Sequence, residues 1–380
     1  MLYLLVRHYR QWLDDHGLGA LRVFRDPIFQ GAAALVLSFL FVILLGPRVI
    51  GWLRRQKLGD LASFDQAEMD AIMASKKGTP TMGGVLIIAG ITLTTLLLAD
   101  LENFYVRMAL VSLLWLGGLG AVDDWLKLTA GRRAGSRQGL TSREKLLFQV
   151  GLGVLLSWFT YHYGQQVDDA TKLFVPFFKQ VEIPLSLPLY VVICTIVMTG
   201  SSNAVNLTDG LDGLAAGCMA IVSFVFLVLG ILVGTGQLAD FLYLPKIPPA
   251  GQMAVFAAAM MGACLGFLWF NCNPAKVFMG DTGSLALGGL IGYVAIVLRH
   301  ELVLFLAGGV FVAEATSVMM QVGFFKYTRK RYGEGRRIFL MAPLHHHFQR
   351  KGWTETQVVV RFWLIGAMLA AMALATVKLR

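Results

Sequence analysis

With 380 residues, 56% of them hydrophobic and only 15% charged, and a mean hydropathy of +0.65, the chain is too apolar for an ordinary soluble domain. The formal net charge of +10 comes without a basic, aromatic-interleaved domain, which argues against a nucleic-acid partner. One polytopic membrane domain over 1–380 accounts for the composition.

Residues 1–28 place Trp12, Leu13, Leu18, Leu21, Val23 and Phe24 among Arg and Asp, a pattern that predicts an interfacial amphipathic segment without a signal-peptide cleavage site. A membrane-crossing helix needs roughly 20 mostly apolar residues. Ten such spans are expected near 29–51, 83–99, 106–122, 147–163, 187–202, 214–236, 252–270, 284–298, 302–325 and 358–377. They predict an all-α polytopic integral membrane protein, with a ten-helix core over 29–378 and a small external hairpin near 164–186, where Pro176 and Pro184 flank alternating apolar residues. Cys194, Cys218, Cys264 and Cys272 sit in or beside spans without paired spacing and are expected as free buried thiols.

The polar motifs all fall in odd-numbered gaps between spans. The first gap ends in Lys76-Lys77-Gly78-Thr79-Pro80-Thr81, which lacks the Walker spacing and suits either phosphate contact or the ordinary charge bias of a cytoplasmic loop. The third begins with Asp123-Asp124, and two adjacent carboxylates near headgroups need a cation or a basic ligand to offset their repulsion. The fifth holds Asn203 to Gly213, N-A-V-N-L-T-D-G-L-D-G, where Gly210 and Gly213 allow a tight turn around a small polar ligand. No Glu closes it as a calcium loop. The seventh runs from Asn271 to Gly283, where Asp281 is expected either to cap the next helix or to join the other acids around Mg²⁺. The ninth contains Pro343-Leu344-His345-His346-His347, whose spacing does not suit zinc and favours anion binding or proton transfer. Glu314 is an acid in mid-span, where such groups are functional by default or held by an interhelical hydrogen bond.

Odd gaps carry 20 of the 33 basic residues, so the positive-inside rule puts them, and the site they build, at the cytoplasmic face. Acids for a divalent metal, cations for phosphates and an interfacial position predict phosphoryl transfer with a lipid substrate. A cation-coupled transporter is the rival from another class, although it would favour mid-span acids and broken helices.

At these motifs the chain resembles the phospho-N-acetylmuramoyl-pentapeptide transferases, the translocase I family of bacterial peptidoglycan synthesis within the polyprenyl-phosphate N-acetylhexosamine-1-phosphate transferase superfamily. The likeness runs from about Gly46 to the C-terminus through the Lys-Gly-Thr-Pro-Thr segment, the Asp-Asp pair, N-x-x-N-L-T-D-G-L-D-G, V-F-M-G-D and P-x-H-H-H. It implies transfer of phospho-MurNAc-pentapeptide from UDP-MurNAc-pentapeptide to undecaprenyl phosphate, giving lipid I and UMP in the bacterial inner membrane. Mg²⁺ is the implied cofactor; membrane lipids, and by extension a second copy in a homodimer, are the implied partners. Carried onto matching positions, Asp281 binds Mg²⁺, Asp123 and Asp124 act on the lipid phosphate or the metal, and His346 completes the centre with His345 and His347. Asn206, Asp209, Gly210, Leu211, Asp212, Asn271 and Phe278 form the uridine pocket. Lys76, Lys77, Thr81, Lys127 and Lys145 meet phosphates. The family pattern continues P-x-H-H-H-F/Y-E-L-K-G-W, whereas here Gln349-Arg350-Lys351-Gly352-Trp353 follows Phe348, and residues 63–75 lack the usual D-G-P. A sister GlcNAc-1-phosphate transferase is the nearest alternative.

Overall fold

The computed structural model describes residues 1–56, 78–130, 139–178 and 181–377; Lys76 and Lys77, expected at phosphate, lie outside them. Short helices α1 (Leu2–His8) and α2 (Arg10–Asp15) lead into α3 (Pro27–Arg55), followed by α4 (Gly84–Leu98), α5 (Phe104–Ala130) and α6 (Ser142–Gly164). Strands β1 (Lys172–Phe174) and β2 (Glu182–Pro184) pair antiparallel, Leu173 opposite Ile183, in the segment where a hairpin is expected. Then come α7 (Leu187–Thr208), α8 (Leu214–Gly234), α9 (Gly236–Leu242), α10 (Met253–Asn271), α11 (Gly280–Val297), α12 (Glu301–Ala307), α13 (Gly309–Tyr332), α14 (Leu344–Arg350) and α15 (Glu355–Ala375).

Local chemistry explains where these helices begin. Asp26 accepts from the N–H groups of Ile28 at 3.0 Å and Phe29 at 2.9 Å, with Pro27 in the first turn of α3. Thr141 with Glu144, and Thr354 with Gln357, close capping boxes on α6 and α15. The chain enters α8 through Gly213 at φ +80°, a left-handed conformation that glycine adopts without a Cβ penalty.

Burial orders the bundle. In α11, 89% of the most apolar stretch is buried, against 28% in α3 and 33% in α15, so α11 is central and α3 and α15 are peripheral. Large apolar side chains such as Trp158, Ile196, Trp269, Met319 and Leu364 stay exposed around the perimeter, which is the arrangement a lipid solvent requires.

By length and apolarity seven helices among the described residues can cross a membrane, or eight if α12 and α13 count as one span. That is fewer than the ten expected. The α4 helix is apolar but has only 15 residues, about 22 Å of helix against a hydrocarbon core of about 30 Å. The α6 helix is long enough but carries Gln149, Ser157, Thr160 and His162. The span expected at 302–325 is broken at Gly308, where α12 and α13 meet at 83°. Cys194, Cys218 and Cys264 are free and buried as expected, while Cys272, just beyond the end of α10, is exposed.

Several motifs that fall in the gaps between apolar spans are helical. Hydropathy marks only the apolar run, and backbone hydrogen bonding carries each helix on into the polar interface. Asp123 and Asp124 lie in the last turns of α5, Asn203 and Asn206 in the last turns of α7, and Asp281 in the first turn of α11. This places the site on helix ends, which hold side chains more rigidly than loops would.

Candidate active site

Three ends converge: the C-terminal turns of α5 and α7 and the N-terminal turn of α11. The segment before α4 is laid along the loop before α11 by backbone hydrogen bonds, Phe278 N–H to Pro80 at 2.8 Å, Gly83 N–H to Phe278 at 2.8 Å and Gly84 N–H to Met279 at 2.9 Å. Thr81 is thereby brought beside Gly280, where glycine is needed twice over: φ is +73°, and a Cβ would lie 2.6 Å from Asp124 Oδ2 and 2.9 Å from Thr81 Oγ1.

The start of α11 leaves backbone N–H groups without intrahelical partners, and carboxylates supplied by other helices take them. Asp209 accepts from Gly280. Asp124 accepts from Asp281 N–H at 3.1 Å, Thr282 N–H at 2.9 Å and Thr282 Oγ1 at 2.7 Å. Of the two expectations for Asp281, the cap fails, because Asp281 is inside the helix and Asp124 does the capping from α5, while the place among the acids holds.

Asp123, Asp124 and Asp281 bring carboxylate oxygens within 4.8 Å of one another. Two unit charges at that separation repel by about 3 kcal/mol at an effective dielectric constant near 20, so a compensating cation is required. Two ammonium groups supply it. Lys127 Nζ lies 2.7 Å from Asp123 Oδ2 and 3.2 Å from Asp281 Oδ2, while Lys145 Nζ lies 2.8 Å and 2.5 Å from the same two atoms. Asp123 is fully buried and also accepts the Leu140 N–H at 2.7 Å. Asn206 Nδ2 donates to Asp281 Oδ1 and to Ser284 Oγ, both at 2.9 Å. Burial, together with the charges of Asp281 and Asp124, pushes the Asp209 carboxyl up to about 7.

Other expected residues hold the turn 209–213 and the loop after α10. Asn271 is buried and spends its side chain on the main chain, accepting from Gly213 N–H at 3.0 Å and donating to Val277 O at 2.9 Å. Asp212 Oδ2 accepts from Asn273 Nδ2 and Ala275 N–H, both at 3.1 Å, so these two residues shape the turn 209–213 against the loop 272–279. Leu211 is buried and Phe278 half-buried. His345 packs its imidazole on Gly210, where a Cβ would collide with the ring. Glu355 on α15 accepts the Asp212 N–H at 2.8 Å. Sequence reasoning passed over Thr282, Ser284 and Glu355. The first two were legible as hydroxyls in the turn that carries Asp281, whereas Glu355 has no local signal because its partner is 143 residues away.

The donor set fits a divalent cation. It offers three carboxylates whose oxygens lie within 4.8 Å of one another, the ligand type that hard ions take.

Comparisons with known proteins agree with this geometry. The profile of glycosyl transferase family 4 matches residues 106–299, which include Asp123, Asp124, Asn206, Asp209 and Asp281. Residues 76–88 match phospho-N-acetylmuramoyl-pentapeptide-transferase signature 1, the segment that carries Thr81 to the site. A phospho-N-acetylmuramoyl-pentapeptide-transferase of Desulfotalea psychrophila (strain LSv54 / DSM 12343) is 45% identical over 359 residues, 94% of this chain and 95% of the relative. Another, of Thermodesulfovibrio yellowstonii (strain ATCC 51303 / DSM 11347 / YP87), is 45% identical over 368 residues, 97% of this chain and 98% of the relative. The chain belongs to the phospho-N-acetylmuramoyl-pentapeptide-transferase family. Near-complete coverage in both directions means that family membership extends to α13, α14 and α15, beyond the segment matched by the broader profile.

Proposed function

We propose that the protein transfers phospho-MurNAc-pentapeptide from UDP-MurNAc-pentapeptide to undecaprenyl phosphate, releasing UMP and forming lipid I, at the cytoplasmic face of the inner membrane. The observation that carries the reading is the carboxylate cluster crossed by two ammonium groups at the start of α11. Phosphoryl transfer needs little covalent chemistry from the protein and much charge placement, and this cluster is an arrangement of opposed charges ready to receive phosphates.

Asp123, Asp124 and Asp281 would hold Mg²⁺. Bound there, the ion would neutralise charge on the transferred phosphoryl group and orient it. The chain's own residues do the rest. Lys127, 46% exposed against 18% for Lys145, faces the opening and meets an incoming phosphate first. Asn206 and Ser284 fix the Asp281 carboxylate, and Asp124 fixes the backbone that carries it. The turn 209–213 with Leu211 and Phe278 forms the nucleoside wall, and Thr81 approaches from the segment before α4. Asp209, at about 7, stands ready to take or give a proton near neutral pH.

The test is UMP release by purified protein with undecaprenyl phosphate, comparing UDP-MurNAc-pentapeptide with UDP-GlcNAc at equal concentration. Turnover is expected with the former alone, with Mg²⁺ required and Mn²⁺ an effective substitute. Preference for UDP-GlcNAc would move the chain's activity to the sister transferases. Full activity after exhaustive chelation would remove the metal from the reading.

A further inference from the structure

The α6 helix presents two faces. Leu147, Val154, Leu155, Trp158 and Phe159 stay exposed, where lipid offers no polar partner, while Gln149, Leu152, Leu156, Ser157 and Thr160 are buried against the bundle. Gln149 follows Lys145 by one helical turn. Its carboxamide is used at both ends: Nε2 donates to Ser202 Oγ at 3.0 Å, and Oε1 accepts from Asn203 Nδ2 at 2.8 Å. Ser202 Oγ in turn donates to Leu285 O at 3.0 Å. This chain of hydrogen bonds joins α6, α7 and α11 beneath the carboxylate cluster. On each helix its member lies one turn from the residue given to the cluster: Gln149 from Lys145, Asn203 from Asn206 and Leu285 from Asp281.

We propose that Gln149 is a positioning residue for the transfer reaction: it fixes the height of α6 against α7 and α11 and so sets Lys145 between Asp123 and Asp281. This rests on the reading of Lys145 as part of the transfer site. Apolar contacts keep a helix in a bundle but tolerate small slides along its axis, whereas two hydrogen bonds from one carboxamide to adjacent residues of α7 admit a single register. The register matters because Lys145 Nζ bridges two carboxylates at once, Asp123 at 2.8 Å and Asp281 at 2.5 Å. A slide of α6 by one residue, about 1.5 Å, weakens that bridge. The other two helices do not depend on Gln149. With its carboxamide removed, Ser202 still donates to Leu285 O, Asn203 still donates to Thr199 O at 2.8 Å, and Asn206 still spans Asp281 and Ser284. Only α6 is released, and what α6 gives to the cluster is Lys145.

The experiment is a double-mutant cycle on UMP release by the full-length protein under saturating substrates. Q149M keeps the length and burial of the side chain, removes both hydrogen bonds, and is expected to lower kcat about tenfold. K145M removes the ammonium group and should lower kcat about a hundredfold. The double variant should turn over within about twofold of K145M alone, because Gln149 then has no ammonium left to position. A residue that merely supports the fold would carry its tenfold loss into the double variant. Should Q149M not fold, Q149E enters the same cycle; it still accepts from Asn203, gives up the donation to Ser202, and is expected to lose about fivefold, again only where Lys145 is present. A further loss above about twofold on the K145M background, or a single variant at 149 within about twofold of wild type, overturns the proposal and leaves the transfer reading intact. Wild-type turnover in K145M would remove Lys145 from the site and this inference with it.

Discussion

Replacing Asp123 or Asp281 by Asn keeps the shape of the site but leaves Lys127 and Lys145 sharing a single carboxylate. Turnover should fall about a hundredfold or more in each, the scale of losing one principal electrostatic contributor, and UMP release measures it. Near wild-type rates in both would sink the assignment. D124N should differ in kind, because the Asp124 carboxylate accepts three hydrogen bonds at the start of α11 and a carboxamide can match only part of that. Its unfolding temperature should drop together with its activity. Asp209 supplies a pH test. Its carboxyl is raised above its unfolded value near 4, so its contribution to stability is full below that value and is lost as pH rises to about 7. The melting temperature of metal-free protein should therefore decline over that interval, and D209N should flatten the decline; an equal slope in both proteins would show that the group is not shifted. At this scale the acids were legible by type and spacing, whereas Lys127 and Lys145 entered only through the family resemblance. The sequence could not reveal that Asp124 serves as a cap or that Asn271 is spent on backbone, because those roles depend on partners 158 and 58 residues away.

Helix ends, more than loops, carry the carboxylate cluster, and they meet because glycines let the backbones approach. Gly84 on α4 lies against the backbone of Gly283 on α11, and Gly120 on α5 lies against that of Asp281, so a Cβ at either position would collide with main chain that has nowhere to move. Small residues at crossings are how membrane helices gain close packing. Gly84→Ala should cost about 1–3 kcal/mol by overpacking and should lower activity by shifting α11 with Asp281 on it. Thermal unfolding and UMP release together check this, whereas Gly118→Ala on α5, with open space around its added Cβ, should change neither. The positions of the apolar helices were readable from hydropathy, and the polar ends were not, since periodicity is lost where Asp123 or Asn206 faces inward from a helix that has left the apolar run. The break at Gly308 also escaped the reading: the apolar run continues across it and only the backbone changes direction.

Across the molecule, the two ends of α11 separate two kinds of polar region. Its N-terminal turn holds the carboxylate cluster. Just past its C-terminus, about 27 Å away along 18 residues of helix, Arg299 is buried against Glu301 at 2.8 Å and donates from Nε to Lys172 O at 2.7 Å, tying the β1–β2 hairpin to that end. That distance is close to the thickness of a hydrocarbon core, so the hairpin and the cluster belong to opposite membrane faces. The sequence had placed the polar motifs in odd gaps, and the contacts among Asp123, Asn206 and Asp281 agree that the third, fifth and seventh share one end. Which compartment that end faces is argued from the basic residues: Lys326, Arg329, Lys330, Arg331, Arg336 and Arg337 crowd the end of α13 and the loop after it, the side that the positive-inside rule assigns to the cytoplasm. The measurement is cysteine accessibility in a background with exposed Cys272 replaced. A cysteine at Glu334 should react with impermeant maleimide only after the inner membrane is opened, and one at Gln165, beside the hairpin, should react from outside in intact cells. Labelling in the reverse order would turn the molecule over and put the phosphate cluster on the side where no nucleotide-linked substrate is supplied.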